Sequence, residues 1–255
     1  MKRLLLLLLL SGCSAAAQRR PSARELHALQ DSVRHWVEAN RATASPADAV
    51  YASGTDEAGG YVDVYLIRAD SAMKNRFRRC VHDSPLIRLH GFDPDTTPYS
   101  PAPEGTPPPE YLSMDTEYAL YPTDTDRVRL TIRSRGEEAV FFGTDYTVCH
   151  LQHGRWEILP VVNVWNSLLI SIGRPQIPAP GDNPHRTAAG GYTYDFTAWL
   201  APRVFPAVYA RYRICKRVYL ENPRRDYLLT ADFTVTPFVP FTRFAEDAAA
   251  PTPRN

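Results

Sequence analysis

The chain has 255 residues, a formal net charge of +1 and 44% hydrophobic residues, which is enough apolar sequence to build a core. A near-neutral charge without a basic cluster excludes a nucleic-acid surface of the usual electrostatic kind, so no nucleic acid is expected as a partner. The 23 prolines favour short strands, turns and extended segments over long helices.

The first residues have the pattern of an export signal. Lys2 and Arg3 precede an uninterrupted leucine run, Leu4 to Leu10. This run is far shorter than the roughly 20 apolar residues that a membrane-spanning helix needs. A charged start, a short apolar run and small residues predict a signal peptide over residues 1–12, which is removed from the mature chain.

The stretch Leu10–Cys13, LSGC, closely resembles the lipobox of bacterial lipoproteins. In that family the peptide is cut just before the cysteine, whose sulfur carries a diacylglycerol. The resemblance implies lipidation of Cys13, a lipid bilayer as partner, and residues 13–20 as a tether, since several acyl chains anchor a protein stably. Ser14 is not the aspartate that retains some lipoproteins, so we expect the outer membrane if the cell has one. The alternative is an ordinary secretory signal, cut near Ala15–Ala17.

Residues 21–91 are predicted to form a small α+β unit that begins with a helix and a hairpin. Apolar residues at helical spacing predict an amphipathic helix over residues 21–41. Ser22 with Glu25 three residues later fits a capping box at its start. Two β-rich runs flank a turn at Gly59-Gly60, which predicts a hairpin.

A second helix and a returning strand are predicted to complete this unit. Ser71 is expected to cap the helix in SAMKNRFRRCVHD, and the strand follows in PLIRLHG. Cys80 shares one helical stripe with Met73 and Phe77, so we expect it to be a buried free thiol.

Residues 92–110 are rich in proline and are predicted to be an extended linker between two domains. From residue 111 the pattern changes to short strands separated by turns. Seven or eight such strands predict an antiparallel sandwich over residues 111–237. Residues 238–255 are expected to form a flexible tail.

The second half resembles the bacterial immunoglobulin-like domains of exported and lipid-anchored proteins. The matching stretches are RVRLTIRSRGEEAVFFG, DYTVCHLQHGRWEILP and YARYRI. The resemblance implies an all-β immunoglobulin-like sandwich and a role as stalk, spacer or binding module, with no catalytic residues to carry over. Where antibody domains have an inter-sheet cysteine, this chain has Ile214, with Leu130 or Ile132 as its apolar partner.

Cys149 and Cys215 are a possible disulfide. Alternation directs Tyr146 and Val148 inward, so both cysteines are expected to point outward from neighbouring strands. A bridge forms if the strand register makes them direct opposites. The alternative is two unpaired, partly exposed thiols.

Other polar motifs do not form a convincing site. The run CHLQH from Cys149 to His153 offers zinc-type ligands, but alternation sends Cys149 and His150 to opposite faces. No metal ligand, cofactor or catalytic residue is therefore predicted. Among the aromatic residues, Trp165 and Trp199 are candidate exposed binding anchors, with core packing as the alternative.

The sequence therefore predicts a membrane-anchored, non-enzymatic envelope lipoprotein that acts as a binding or spacer module. Its expected partner beside the bilayer is an envelope protein or a glycan. A second hypothesis is an accessory or inhibitory module for an exported enzyme. A third is an enzyme whose active site carries no recognisable motif, which a deep pocket with convergent polar groups would favour.

Overall fold

The computed structural model describes residues 19–41, 46–162, 167–173, 187, 190–205, 209–221 and 223–237. The predicted signal peptide, Cys13 and the predicted tail lie outside these ranges. Within them, no helix combines the length and the apolar character that crossing a membrane requires.

The first helix, α1 (Ala23–Asn40), confirms the predicted capping box. The backbone N–H of Ser22 donates to Oε2 of Glu25 at 2.7 Å, and the N–H of Glu25 donates to Oγ of Ser22 at 3.3 Å. These bonds satisfy backbone donors that the first turn of a helix leaves unpaired. The buried residues of the helix are Leu26, Val33 and Val37.

A three-stranded sheet follows α1, with the predicted hairpin as its first two strands. Its strands are β1 (Val50–Asp56), β2 (Tyr61–Arg68) and β3 (Ile87–Phe92). β1 pairs antiparallel with β2, and β3 pairs parallel on the other side of β2. One face of β2 is apolar and buried through Val62, Val64 and Leu66, which share a core with α1.

The helix α2 (Ser71–Cys80) connects β2 to β3 and differs from the prediction in two ways. Its N-cap is Asp70, whose Oδ1 accepts from the N–H of Met73 at 2.7 Å, and Ser71 is already helical. Met73 and Phe77 are buried, but Cys80 is exposed. The expectation of a shielded Cys80 is therefore wrong, because the helix ends there and its last turn faces solvent.

The second half confirms an all-β sandwich. Its strands are β4 (Leu112–Thr116), β5 (Leu120–Tyr121), β6 (Arg127–Ser134), β7 (Val140–Phe142), β8 (Thr147–Gln152), β9 (Arg155–Ile158), β10 (Ile170–Ile172), β11 (Tyr192–Trp199), β12 (Ala210–Glu221) and β13 (Arg224–Val235). One sheet has the order β11-β6-β4. The other runs β10-β7-β12-β13-β5, with β8 on β12 and β9 on β8.

The two sheets share one hydrophobic core. Ile214, Leu130 and Ile132 are fully buried within it, as predicted for the aliphatic replacement of an inter-sheet disulfide. Inward and outward residues alternate along β12 with the period of two that a strand imposes.

The proline-rich segment, predicted as an extended linker, is packed against the second half of the chain. The N–H of Ala102 donates to the carbonyl of Trp156 at 2.9 Å, and the N–H of Leu228 donates to the carbonyl of Thr106 at 2.9 Å. Residues 100–106, here called the strap, therefore run from β9 to β13 across the outer face of the larger sheet. A Cβ at Gly105 would lie 2.8 Å from Cβ of Leu228, so only glycine permits this close approach.

The two halves of the chain are in direct contact rather than held apart. The ring of Tyr99 lies 4.8 Å from that of Phe92 and 4.9 Å from that of His150, measured between centroids. Nε of Arg203 lies 4.0 Å from the carboxylate of Asp48, whose pKa is raised by burial. The limits of the two halves as independently folding domains stay a prediction.

A lysine lies within the core of the sandwich. Lys216 is 2% exposed, and its Nζ donates to the carbonyls of Gly143 at 2.8 Å and Asp145 at 2.6 Å. These carbonyls belong to the break between β7 and β8, two strands that pair with different parts of β12. The ammonium thus satisfies backbone groups that the interrupted ladder leaves unpaired. Burial lowers the pKa of Lys216 to about 8.

We expect Asp70→Ala to lower the free energy of unfolding by about 1–2 kcal/mol, because it removes the side chain that caps α2. Ser71→Ala should change it by less than about 0.5 kcal/mol. Urea unfolding of the two variants measures both values. An equal loss in Ser71→Ala would contradict the assignment of Asp70 as the cap.

We expect the stability of the wild type relative to Lys216→Met to depend on pH. Between the folded pKa of about 8 and the ordinary lysine pKa of 10.5, the unfolded chain binds a proton that the folded chain has released, so stability rises with pH. The gain is on the order of 1–3 kcal/mol, is complete above the upper value and is lost as pH falls through the lower one. Urea unfolding at pH 7.5 and 10.5 measures it, and a pH-independent difference would contradict the assignment.

Candidate functional sites

Cys149 and Cys215 lie side by side on the outer face of the larger sheet. Their strands are neighbours and their side chains share a face, as predicted. The register pairs Cys149 with Arg213, and Cys215 with Thr147. The two cysteines are therefore diagonal neighbours rather than direct opposites, and their sulfurs are 4.0 Å apart.

The strap makes these thiols buried rather than partly exposed. Cys149 is 0% and Cys215 is 2% exposed, and both pack in one cluster with Leu228, Ala102 and Trp156. The hydrogen bond to Cys215, together with burial, raises the pKa of the Cys149 thiol. Raising the pKa disfavours the thiolate and protects the sulfur from external reagents.

An arginine packs over the same face beside the thiols. The guanidinium of Arg213 donates to both carboxylate oxygens of Asp232, at 2.6 and 2.8 Å, and lies 4.3 Å from the ring centroid of Trp156. Bidentate pairing and stacking of this kind fix a guanidinium in place. The group thus helps to close the outer face around the sulfurs.

The histidines near Cys149 do not join it. His150 is half-buried on the opposite side of the strand, and desolvation lowers its pKa. His153 lies in the turn between β8 and β9 with a φ of 50°. Across the described ranges, no group of three or more histidine, cysteine, aspartate or glutamate residues is arranged to hold a metal ion.

Of the two candidate tryptophans, only Trp199 lies within the described residues. It is half-buried at the end of β11 and packs against the main core, which favours the packing alternative over an exposed anchor. The backbone N–H of Trp199 donates to the hydroxyl of Tyr146 at 2.7 Å. Trp165 lies outside the described residues, so its role as an anchor stays a prediction.

A polar network that sequence reasoning missed lies on the small sheet, on the face turned away from α1. Nε and Nη2 of Arg88 donate to the two carboxylate oxygens of Asp63 at 2.8 and 2.9 Å. Nη2 also donates to Asp56 at 2.8 Å, and Nε2 of His90 lies 2.7 Å from Oδ1 of Asp63. Hydrogen bonds from Arg88 lower the pKa of Asp63.

Aromatic rings frame this network. The guanidinium of Arg88 lies 4.5 Å from the ring centroid of Tyr61, and Tyr65 stacks on His90 with centroids 5.1 Å apart. A β-bulge between Val50 and Ala52 places Tyr51 beside Tyr65, with centroids 6.1 Å apart. We call this surface the open sheet face; its residues are Tyr51, Gly54, Asp56, Tyr61, Asp63, Tyr65, Arg88 and His90.

The open sheet face combines ion-paired carboxylates with exposed rings. Its carboxylates are held ionised by hydrogen bonds, and two of its tyrosines remain exposed, Tyr51 at 47% and Tyr65 at 38%. The alternation of Asp63 and Tyr65 with buried valines was visible in the sequence. The parallel register that sets Arg88 opposite Asp63, and His90 opposite Tyr65, was not.

One family model matches part of the chain. Residues 109–176 match the model of a bacterial Ig-like domain. The match starts just before β4 and extends past β10, so it covers the first strands of both sheets. It supports the immunoglobulin-like assignment of the second half.

Comparison with known proteins and structures adds little beyond that. No curated protein matches the chain. One solved structure with a similar region is the Pseudomonas fluorescens alkylpurine DNA glycosylase AlkC bound to DNA containing an abasic site analog, at 11% identity and a TM-score of 0.26. The match covers 49% of this chain and 30% of that one, and at this TM-score it carries no argument. What the comparisons support is a bacterial Ig-like domain in the second half of the chain.

Proposed function

We propose that the protein is an exported lipoprotein of the bacterial cell envelope that acts as a non-enzymatic binding module. The observation that carries the proposal is the sequence Leu10–Cys13, which places a lipobox directly after a short leucine run. Acylation of Cys13 would tether the folded part to a membrane, and this is the outer membrane where the cell has one. The bacterial Ig-like domain at residues 109–176 fits a protein of this class.

The distribution of polar groups favours binding over catalysis. One network at an open surface contains Asp56, Asp63, Arg88 and His90. Its charged groups form hydrogen bonds with one another. A general acid or base needs a proton to exchange near neutral pH, and ion-paired carboxylates of lowered pKa do not supply one. Preorganised polar groups beside exposed rings are instead what a binding surface requires.

The packing of the strap favours one rigid body over two domains joined by a flexible spacer. Tyr99 contacts Phe92 of the small sheet and His150 of the sandwich, and the strap that follows it is hydrogen-bonded to the backbone of Trp156. A rigid connection keeps the open sheet face at a fixed orientation relative to the sandwich. A ligand bound at that face would therefore be held in a fixed position relative to the rest of the anchored chain.

Cys13→Ala should abolish incorporation of an alkyne-bearing fatty acid into the protein and should release the precursor or stall its processing. The physical reason is the loss of the sulfur that carries the acyl chains. In-gel detection after expression in a bacterial host measures the incorporation. Cys80→Ala, which changes another cysteine outside the core, is the matched control and should keep the label. Persistent label in Cys13→Ala would refute the anchoring.

We further expect Cys149 and Cys215 to form a disulfide after export, the two thiols together losing two protons and two electrons to a thiol oxidant of the cell envelope. Closing the bond requires the sulfurs to move from 4.0 Å to about 2.05 Å. The bond would contribute about 2–4 kcal/mol to the free energy of unfolding. Alkylation of the unreduced, unfolded protein with mass mapping tests it.

In that experiment only Cys80 should be labelled before reduction, and Cys149 and Cys215 should be labelled after it. Cys80 should also react in the native protein, because its side chain is exposed. Labelling of all three cysteines without reduction would show that the pair remains as thiols.

A further inference from the structure

The open sheet face carries two exposed tyrosine rings, whereas most large rings of a folded protein are at least partly buried. Tyr51 and Tyr65 are among the most exposed large hydrophobic residues of the described chain. Their rings lie side by side, and the bulge in β1 is what brings Tyr51 next to its neighbour on β2. Tyrosine supplies a rigid, amphipathic contact surface that loses little conformational entropy on binding.

The floor of this face is open at Gly54 and backed by a packed core. Gly54 lies opposite Asp63 in the β1–β2 ladder, and a Cβ built on it would meet nothing within 4 Å. Behind it, the buried residues Val62 and Val64 join the core that includes α1. The surface is therefore preorganised, which reduces the free energy lost on ordering when a ligand binds.

At the centre of the face two carboxylates share one guanidinium, so each charged group already has a partner of opposite charge. Asp63 accepts three hydrogen bonds, two from Arg88 and one from His90. Asp56 accepts one from Arg88 and one from the backbone N–H of Gly59 at 2.8 Å. An anionic ligand would have to displace Asp63 from Arg88, and a cationic ligand would compete with Arg88 for the carboxylates.

Neutral hydroxyl groups fit this arrangement without breaking an ion pair. An ionised carboxylate has about four acceptor positions, so Asp63 and Asp56 can each accept further hydrogen bonds from hydroxyl donors. Hydrogen bonds to charged groups are the stronger class and help to fix a ligand's orientation. A ligand that combines many hydroxyl groups with flat apolar C–H surfaces would use both the network and the rings.

We propose that the open sheet face binds a neutral glycan chain, with Tyr51 and Tyr65 stacking on sugar rings and the Asp63–Arg88–Asp56 network accepting hydroxyl hydrogen bonds. This inference rests on the proposed function as a binding module and names its ligand class. The open space along β1 at Gly54, beside the two exposed rings, fits an extended, β-1,4-linked chain better than a helically twisted α-1,4-linked one.

Calorimetric titration of the full-length protein, held in a detergent without a sugar headgroup, tests the proposal. The probes are N-acetylchitohexaose, cellohexaose and maltohexaose. We expect at least one of the two β-1,4-linked probes to bind with a Kd below about 1 mM and maltohexaose to bind at least about tenfold more weakly. Failure of both β-1,4-linked probes to bind at this level, or stronger binding of maltohexaose, would overturn the proposal.

Variants locate the binding. Tyr65→Ala and Tyr51→Ala should each raise the Kd about tenfold or more, whereas Tyr65→Phe, which keeps the ring, should stay within about threefold. Gly54→Leu should abolish binding, since its side chain would project into the space that is open at Gly54, where a Cβ meets nothing within 4 Å. Tyr209→Ala is the matched control, because Tyr209 is an exposed tyrosine outside this face. Unchanged affinity in Tyr65→Ala and Gly54→Leu would overturn the assignment.

Other occupants of the face give different results. Stronger binding to phosphatidylglycerol vesicles than to phosphatidylcholine vesicles, with the difference lost in Gly54→Leu and no binding to the neutral probes, would replace the glycan with an anionic lipid and overturn the proposal. A dimer that Gly54→Leu dissociates, again without glycan binding, would make the face a contact between copies. Both results leave the fatty-acid label at Cys13 unchanged, so failure of this inference is distinguishable from failure of the anchoring proposed above.

Discussion

The alternation of side chains along β12 is the constraint on which the sandwich depends. Because a strand sends successive residues to opposite faces, its twelve residues must supply two different surfaces at once. One surface carries Ile214 and Val218 into the core between the sheets, and the other carries Arg213 and Cys215 outward. β12 also pairs with β13, β7 and β8, so its register fixes the position of every strand around it.

The strap follows from the same constraint. An outward face that carries cysteine and leucine cannot remain exposed without leaving apolar area in contact with water. Residues 100–106 cover that area, and Gly105 allows the backbone to approach Leu228 closely. A proline-rich segment is suited to this task because its extended backbone can cross a sheet while forming only a few hydrogen bonds with it. The sequence feature that indicates a linker is thus also compatible with a packed cover.

Lys216 and the open sheet face show two ways in which charged groups are accommodated. The lysine is withdrawn from solvent and satisfied by the carbonyls of a broken ladder, which gives a specific structure to the break between β7 and β8. The charges of the open sheet face stay near solvent and are satisfied by one another. In the first case the hydrogen bonds of the lysine hold a local backbone conformation. In the second case ion pairing leaves a polar surface on which each charge has a partner.

The sequence by itself determined the elements whose signals are local. The capping box of Ser22 and Glu25, the hairpin around Gly59-Gly60 and the alternation of β12 depend on residues that are close in the chain. The tertiary structure decided what depends on partners far away. Examples are the diagonal register of Cys149 and Cys215, the burial of both under the strap, and the exposure of Cys80. The pairing of Arg88 with Asp63 also required the parallel register of β3 on β2. Strand register and the packing of a covering segment are set by contacts between distant residues, and no local pattern of side chains encodes those contacts.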